Sequence, residues 1–188
     1  MNIKKDHLMI RSANVGDAPL LTDWWNDGSV MAHAGFPNGL GQTLEKTIEQ
    51  ITLNESKLSQ RCIIEDNDVR IGEMSFYIGD NFAEIGIKIC DSAYQNKGYG
   101  SILIRMLLDF LFTDKKINSA NKIEKIILDT NIKNLRAQHV YEKIGFKKVA
   151  TNVNAWKDQL GQWQTSIDYE MSLQDYESLP HADNLINK

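Results

Sequence analysis

The stretch Gln95-Asn96-Lys97-Gly98-Tyr99-Gly100 decides how this chain is read, because of what lies on either side of it. Before it, a β-rich run ends near Cys90. After it, Gly100–Phe112 carries Leu103, Met106, Leu107, Phe110 and Leu111 at helical spacing. A helix start leaves backbone N–H groups unpaired and adds positive potential. Glycine lets that backbone approach an anion closely, so a phosphate or pyrophosphate suits the turn, and Lys97 adds a cation. The pattern is neither G-x-x-x-x-G-K-[ST] nor G-x-G-x-x-G. Taken alone, it is equally a plain strand–turn–helix junction that needs two small residues.

Outward from the turn, strands and helices alternate, which predicts an α/β (α+β) layered architecture. Gln60–Glu65, Arg70–Ile78 and Phe82–Cys90 are three β runs separated by the hairpin signals DND and GDN. In the third run, Ile85, Ile87 and Ile89 share one face while Glu84, Gly86 and Lys88 share the other. Upstream, Leu8–Ala13 predicts a strand and Asp17–Asn26 a helix. Ala32–Gly41 is irregular, and Thr43–Ser56 predicts a second helix. Downstream come a buried strand at Ile123–Leu128, a helix at Lys133–Ile144 stopped by Gly145, and a hairpin of Phe146–Asn152 with Gln162–Met171. One domain is expected over residues 1–175, with a flexible tail at 176–188.

The second decisive stretch is Asn134-Leu-Arg-Ala137 followed by Tyr141-Glu142-Lys-Ile-Gly145-Phe146. In this order and separation, the two stretches resemble the GNAT (Gcn5-related) N-acetyltransferase family over roughly Glu84 to Val149. The resemblance implies a central, mixed, mostly antiparallel twisted sheet of about seven strands, flanked by about four helices. Its middle strands, Phe82–Cys90 and Ile123–Asp129, would splay apart to admit the pantetheine arm of acetyl-CoA. The pyrophosphate would sit on the turn formed by Gln95, Asn96, Lys97, Gly98, Tyr99, Gly100 and Ser101. Backbone groups of Lys88, Ile89 and Cys90 would pair with the pantetheine as an added strand does.

Acetyl transfer from a thioester to a primary amine needs a base for the amine proton, a polarised carbonyl and an acid for the thiolate. Asn134 and Tyr141 lie seven residues apart, about two helical turns, and so share a face together with Ala137. Asn134 can exchange hydrogen bonds with an amide-rich arm. Tyr141 is the family-equivalent proton donor. For the base, Asp129 at the strand end is preferred over Glu84. The competing reading for either carboxylate is an ion pair with a lysine such as Lys88 or Lys125. A backbone N–H near Ile87 to Ile89, exposed by a bulge at Gly86, would meet the oxyanion.

The acceptor pocket in this family draws on the first helices and the last hairpin. Here those supply Asp23, Trp24, Trp25, Asp27 and His33, then Trp156, Asp158 and Trp163. Trp24, Trp25, Asp27 and Trp163 are the expected substrate-binding residues, holding an ammonium by cation–π and charge contacts. The duller fate of Trp24 or Trp25 is packing a helix onto the sheet. The WWND segment and the run LDTNIKNLRAQHVYEKIGF resemble some aminoglycoside 6′-N-acetyltransferases and the ribosomal-protein N-terminal acetyltransferase-like branch. The expected acceptor is therefore a small cationic amine such as an aminoglycoside or a polyamine. A peptide N-terminus and a non-catalytic acyl-CoA-binding domain are the alternatives.

Composition agrees with this and excludes other classes. The 188 residues carry 42% hydrophobic and 24% charged side chains, those of an ordinary globular domain. A formal net charge of −4 with no basic run argues against nucleic acid and suits a cationic acceptor. The N-terminus has no apolar signal-peptide core, and no stretch is long enough to span a membrane. Cys62 and Cys90 then read as reduced, buried thiols in a cytoplasmic protein. His7, His33, His139 and His181 show no ligand spacing, so no metal is expected. The resemblance also admits a homodimer contacting through the late strands.

Overall fold

The computed structural model describes residues 1–53, 58–119 and 122–180. Its elements run β1 (Asn2–Lys5), β2 (Leu8–Ser12), α1 (Ala18–Asn26), α2 (Gly28–Met31), α3 (Leu44–Leu53), β3 (Ser59–Asp66), β4 (Val69–Ile78) and β5 (Phe82–Ile89). There follow α4 (Tyr99–Thr113), α5 (Lys115–Asn118), β6 (Lys125–Asn131), α6 (Leu135–Ile144), β7 (Lys147–Lys157), β8 (Trp163–Ser172) and α7 (Leu173–Glu177). One sheet of eight strands, ordered β1-β2-β3-β4-β5-β6-β8-β7, separates two layers of helices.

The meander β3–β4–β5 forms as its turn chemistry dictates. Asn67 and Asp68 take φ values of 47° and 65°, the left-handed pair that a tight hairpin needs. Alternation sends Cys62, Ile64, Met74, Phe76, Ile78, Ala83 and Ile85 to one face. There they meet Leu103, Ile104, Leu107, Leu108 and Leu111 of α4, with Tyr141 and Ile144 of α6. The opposite face carries Ile63 into a smaller core with Leu21 and Trp25 of α1, Met31 and Ile51. Helix α4 is thus buried on more of its circumference than the predicted stripe. Phe110 is only partly buried, while Ile104 and Leu108 are fully enclosed.

Every strand pair is antiparallel except β5 with β6. That parallel contact spans only Phe82↔Lys125, Ala83↔Ile126 and Glu84↔Ile127. Beyond it β5 stays paired to β4 up to Ile89, and β6 stays paired to β8 up to Asn131. The two half-sheets therefore part at Glu84 and Ile127, giving the expected splay.

The strand count exceeds the expected seven because Asn2–Lys5 pairs with β2 around Asp6, whose φ is 53°. Its polar sequence hides it, since only Ile3 packs on the core. The helices beyond the expected four, α2, α5 and α7, have four or five residues each, too short for periodicity to reveal. The predicted helix Thr43–Ser56 is seen over Leu44–Leu53, and its last three residues lie outside the described residues. Residues 176–180, assigned above to the tail, include the end of α7. Tyr176 stacks on Phe112 at 4.8 Å and donates to Asp109 at 2.8 Å. Residues 181–188 lie outside the described residues. No helix among those described is long and apolar enough to cross a membrane.

Candidate active site

Where the half-sheets part, a cleft of about 1280 Å³ opens through the molecule. Its walls come from β5, β6, the turn before α4, and α6. It brings together Glu84, Lys88, Ile89, Gln95, Asn96, Gly98, Tyr99, Gly100, Ser101, Asp129, Asn134, Ala137 and Tyr141.

The β5 edge of this cleft has unused backbone. Cys90 N–H donates back to Ile71, and Asn81 C=O accepts from Glu124, so alternation turns even-numbered residues toward β4 and odd-numbered ones toward β6. Beyond the last β5–β6 pair, Ile87 and Ile89 thus point their peptide groups into the gap, and the Ile89 carbonyl is held by Gln95 Nε2 at 2.9 Å. Of the three residues expected to pair with pantetheine, only Ile89 offers its backbone. Lys88 and Cys90 spend theirs on β4. No bulge occurs at Gly86, because the β4–β5 register runs without a shift. Divergence of β6 exposes these amides instead.

The turn ends in Gly98 at φ 83°, which N-caps α4 with no side chain over the first-turn amides. A Cβ added at Gly98 would meet nothing within 4 Å, so the amides face open space. At Gly100 the nearest atom to such a Cβ is Val140 of α6, at 3.8 Å. Lys97 lies over the Tyr94 ring at 5.3 Å, holding its charge at the turn. Gln95 also accepts from Arg136 Nη1 at 2.9 Å, tying the turn to α6. These residues fit a cofactor with a diphosphate and an amide-bearing arm: bare amides for the first, strand-edge amides for the second.

Across the gap, Asn134 caps α6, its Oδ1 accepting from Ala137 N–H at 3.2 Å, which leaves Nδ2 as a donor. Tyr141 is buried with its ring edge-on to Tyr169 at 5.6 Å. Burial, with the charge of Asp129 behind it, pushes its hydroxyl up to about 12, so it is protonated at neutral pH. Solvent reaches Asp129 through the cleft, but protein crowds its other sides. That burial, with the like charge of its cross-strand partner Asp168, raises its carboxyl above the ordinary value. Neither expected lysine neutralises these carboxylates, since Lys88 pairs with Glu73 and Lys125 with Glu170. Burial lifts the thiols of Cys62 and Cys90 to about 12, which leaves them unreactive.

The front of the chain is placed differently from the sequence reading. Trp24, Trp25, Asp27 and Trp163 do not line the cleft. Trp25 is core, its indole N–H donating to Glu73 at 3.0 Å, and Trp24 packs on the same cluster. Asp27 caps α2 by accepting from Ser29 N–H, and Trp163 lies beneath Lys157 at 4.9 Å. Asp158 is turned onto its own loop, accepting from Leu160, Gln162 and Gln164. His33 and Trp156 do reach the cleft. Sequence reasoning missed Arg61, Glu73 and Ser75 on its floor. Their one signal was that Ser59, Arg61, Glu73 and Ser75 alternate with core-facing residues of β3 and β4, on the face that Ile63 shares.

Comparison with known proteins agrees with this geometry. The profile of the acetyltransferase (GNAT) domain matches residues 7–147. The uncharacterized N-acetyltransferase YnaD of Bacillus subtilis is 29% identical over 169 residues, covering 85% of this chain and 94% of that protein. The aminoglycoside N(6′)-acetyltransferase type 1 of Klebsiella pneumoniae is 26% identical over 162 residues, covering 78% of this chain and 77% of that protein. In fold, the chain is similar to the spermidine N-acetyltransferase of Vibrio cholerae crystallised with CoA and spermine. The TM-score is 0.80 at 23% identity, over 92% of this chain and 99% of that one. The splayed sheet, the bare glycine turn and a profile match over most of the chain make this protein a member of the GNAT acetyltransferase family, an acetyl-CoA-dependent N-acetyltransferase.

Proposed function

We propose that this enzyme acetylates the primary amine of a small acceptor by direct attack, with Asp129 as base and Tyr141 as acid. One observation carries the reading: a buried tyrosine and a carboxylate with a raised pKa face the same gap, close enough for the charge of one to shift the other. Acetyl-CoA supplies the thioester carbonyl and the thiolate leaving group. Asp129 takes the amine proton, and Glu84 on the facing strand adds negative charge that attracts the ammonium. A backbone N–H of Ile87 or Ile89 polarises the carbonyl oxygen. Tyr141 gives its proton to the departing sulfur. The coupling assists this step, because a protonated Asp129 no longer opposes charge on the Tyr141 oxygen.

Relatives named for aminoglycosides and spermidine support an amine-bearing small molecule as the acceptor class, with a peptide N-terminus second. The two buried, unpaired thiols suit a cytoplasmic setting. The test is thiol release from acetyl-CoA with and without amines. Release that requires an amine is expected, and CoA binding without turnover across polyamines, aminoglycosides, amino acids and peptides refutes the enzymatic reading.

The base assignment makes a separate prediction. Asp129 must be ionised to act, so the acidic limb of kcat should lie above the ordinary carboxylate range. Asp168→Asn removes the like charge and should move that limb to lower pH. Asp129→Asn should cost about 100-fold in kcat. An acceptor with a low amine pKa keeps its own ionisation out of the profile.

A further inference from the structure

The acceptor side of the cleft is floored by two cations set against one buried anion. Glu73, 2% exposed, accepts from Trp25 Nε1 at 3.0 Å, Arg61 Nη1 at 2.7 Å and Lys88 Nζ at 2.8 Å. One carboxylate balances one cation, so the cluster keeps a net positive charge. Recessed charge is stable only when it is compensated. Arg61 also has more donors than partners: Nη1 is used, and Nε is sealed with none. Its guanidinium is held over the Trp25 ring at 4.9 Å, yet the side chains of Arg61 and Lys88 retain 26% and 32% exposure into the cleft. Asp27, whose charge reaches nearby Cys90, is exposed and bonded to Ser29, and does not line the cleft.

Strand register fixes what separates these cations from the reacting end. Arg61 pairs with Ser75, and Ser75 with Gly86, on strands about 4.8 Å apart. Both intervening residues are small, so the row is a trough. The fit is tight: a Cβ on Gly86 would come to 3.0 Å from Ser75 Oγ, so that hydroxyl would have to shift. Glu84 follows Gly86 on the same face of β5, and Asp129 stands across the gap on β6. The trough is therefore bipolar, with carboxylates at the reacting end and a guanidinium and an ammonium at the other.

We infer that Arg61, backed by Lys88, is a subsite for a carboxylate on the acceptor, so that small zwitterionic amines are preferred over plain polyamines. The inference rests on the acetyltransferase reading above. It requires the primary amine and the carboxylate to be separated by several bonds, the amine beside Asp129 and the carboxylate on the planar fork of Arg61. A guanidinium suits that group because it can donate two parallel bonds to it.

The experiment compares kcat/KM for ω-amino acids of two to six carbons with that for their carboxamides, and includes spermidine. The wild type should favour the carboxylate of the best-fitting length at least tenfold. Arg61→Gln should bring that ratio to about one through KM for the carboxylate acceptor. Arg61→Lys should keep part of the preference. Glu73 retains Lys88 and Trp25 in both variants, and a cooperative melting transition above the assay temperature verifies folding. Turnover with no carboxylate preference, or a preference untouched in folded Arg61→Gln, overturns the inference alone. Turnover of no amine at all overturns the enzymatic reading, and the inference with it.

Discussion

Tyr141→Phe is expected to lower kcat by about 100-fold or more while leaving CoA affinity within about twofold. The size follows from what the hydroxyl does in its setting. The ring is packed against Phe146 and Tyr169 and would pack equally well without the oxygen. Among the described residues the hydroxyl has no hydrogen-bond partner, whereas Tyr169, its neighbour, donates to Glu142 at 2.9 Å. Removing the oxygen therefore leaves no buried polar group orphaned, and folding should be preserved. On the proposed mechanism, what is lost is the proton that Tyr141 would give to the leaving sulfur. Stopped-flow acetyl transfer and calorimetric CoA binding separate the two effects. A variant with unchanged kcat means the acid is another group.

Glu73→Gln is expected to cost about 3 kcal/mol of unfolding free energy at neutral pH. The amide can still accept from Trp25, but it leaves Arg61 and Lys88 without their counter-charge. The cost sits at the low end of the range for a broken buried pair because both cations keep some exposure. Burial alone would push the Glu73 carboxyl up, yet Arg61 and Lys88 outweigh it and hold the pKa below the ordinary value. A depressed pKa contributes stability that is present above the unfolded value, about 4.3, and is lost as pH falls through the folded one. Urea melts should thus show the gap between wild type and variant closing at acid pH. A gap that is constant with pH would mean that packing, not charge, sets the cost.

How much could be read from the chain depends on the range of the interaction. Asn67–Asp68, Gly98 and Gly145 are local signals, and each sits at the turn or cap its residue type demands. The run Asn134–Phe146 was legible for the same reason: a helix face and a left-handed stop lie within thirteen consecutive residues, while the cap at Asn134 emerged only in the fold. The splay was implied only by resemblance, since nothing in Phe82–Ile89 says that its partner will leave after three residue pairs. The free strand-edge amides were expected from a bulge and arise instead from that departure. Arg61, Glu73 and Lys88 meet only when three strands are laid side by side, so no window of sequence contains them. Trp25 and Trp163 stand away from the cleft, Trp25 in the packing role held open as its alternative, because a tryptophan's chemistry does not reveal which face of its element it will occupy.

Every role proposed above requires that the gap between β5 and β6 receive the thioester arm, with its diphosphate on the bare amides at Gly98 and Gly100. An amide-resolved NMR titration with CoA tests it most directly. The largest shifts should fall on Ile87, Ile89 and the residues from Gly98 to Ser101, with ATP shifting the turn alone. Saturable CoA binding that leaves Ile87, Ile89, Gly98 and Gly100 unmoved would contradict it.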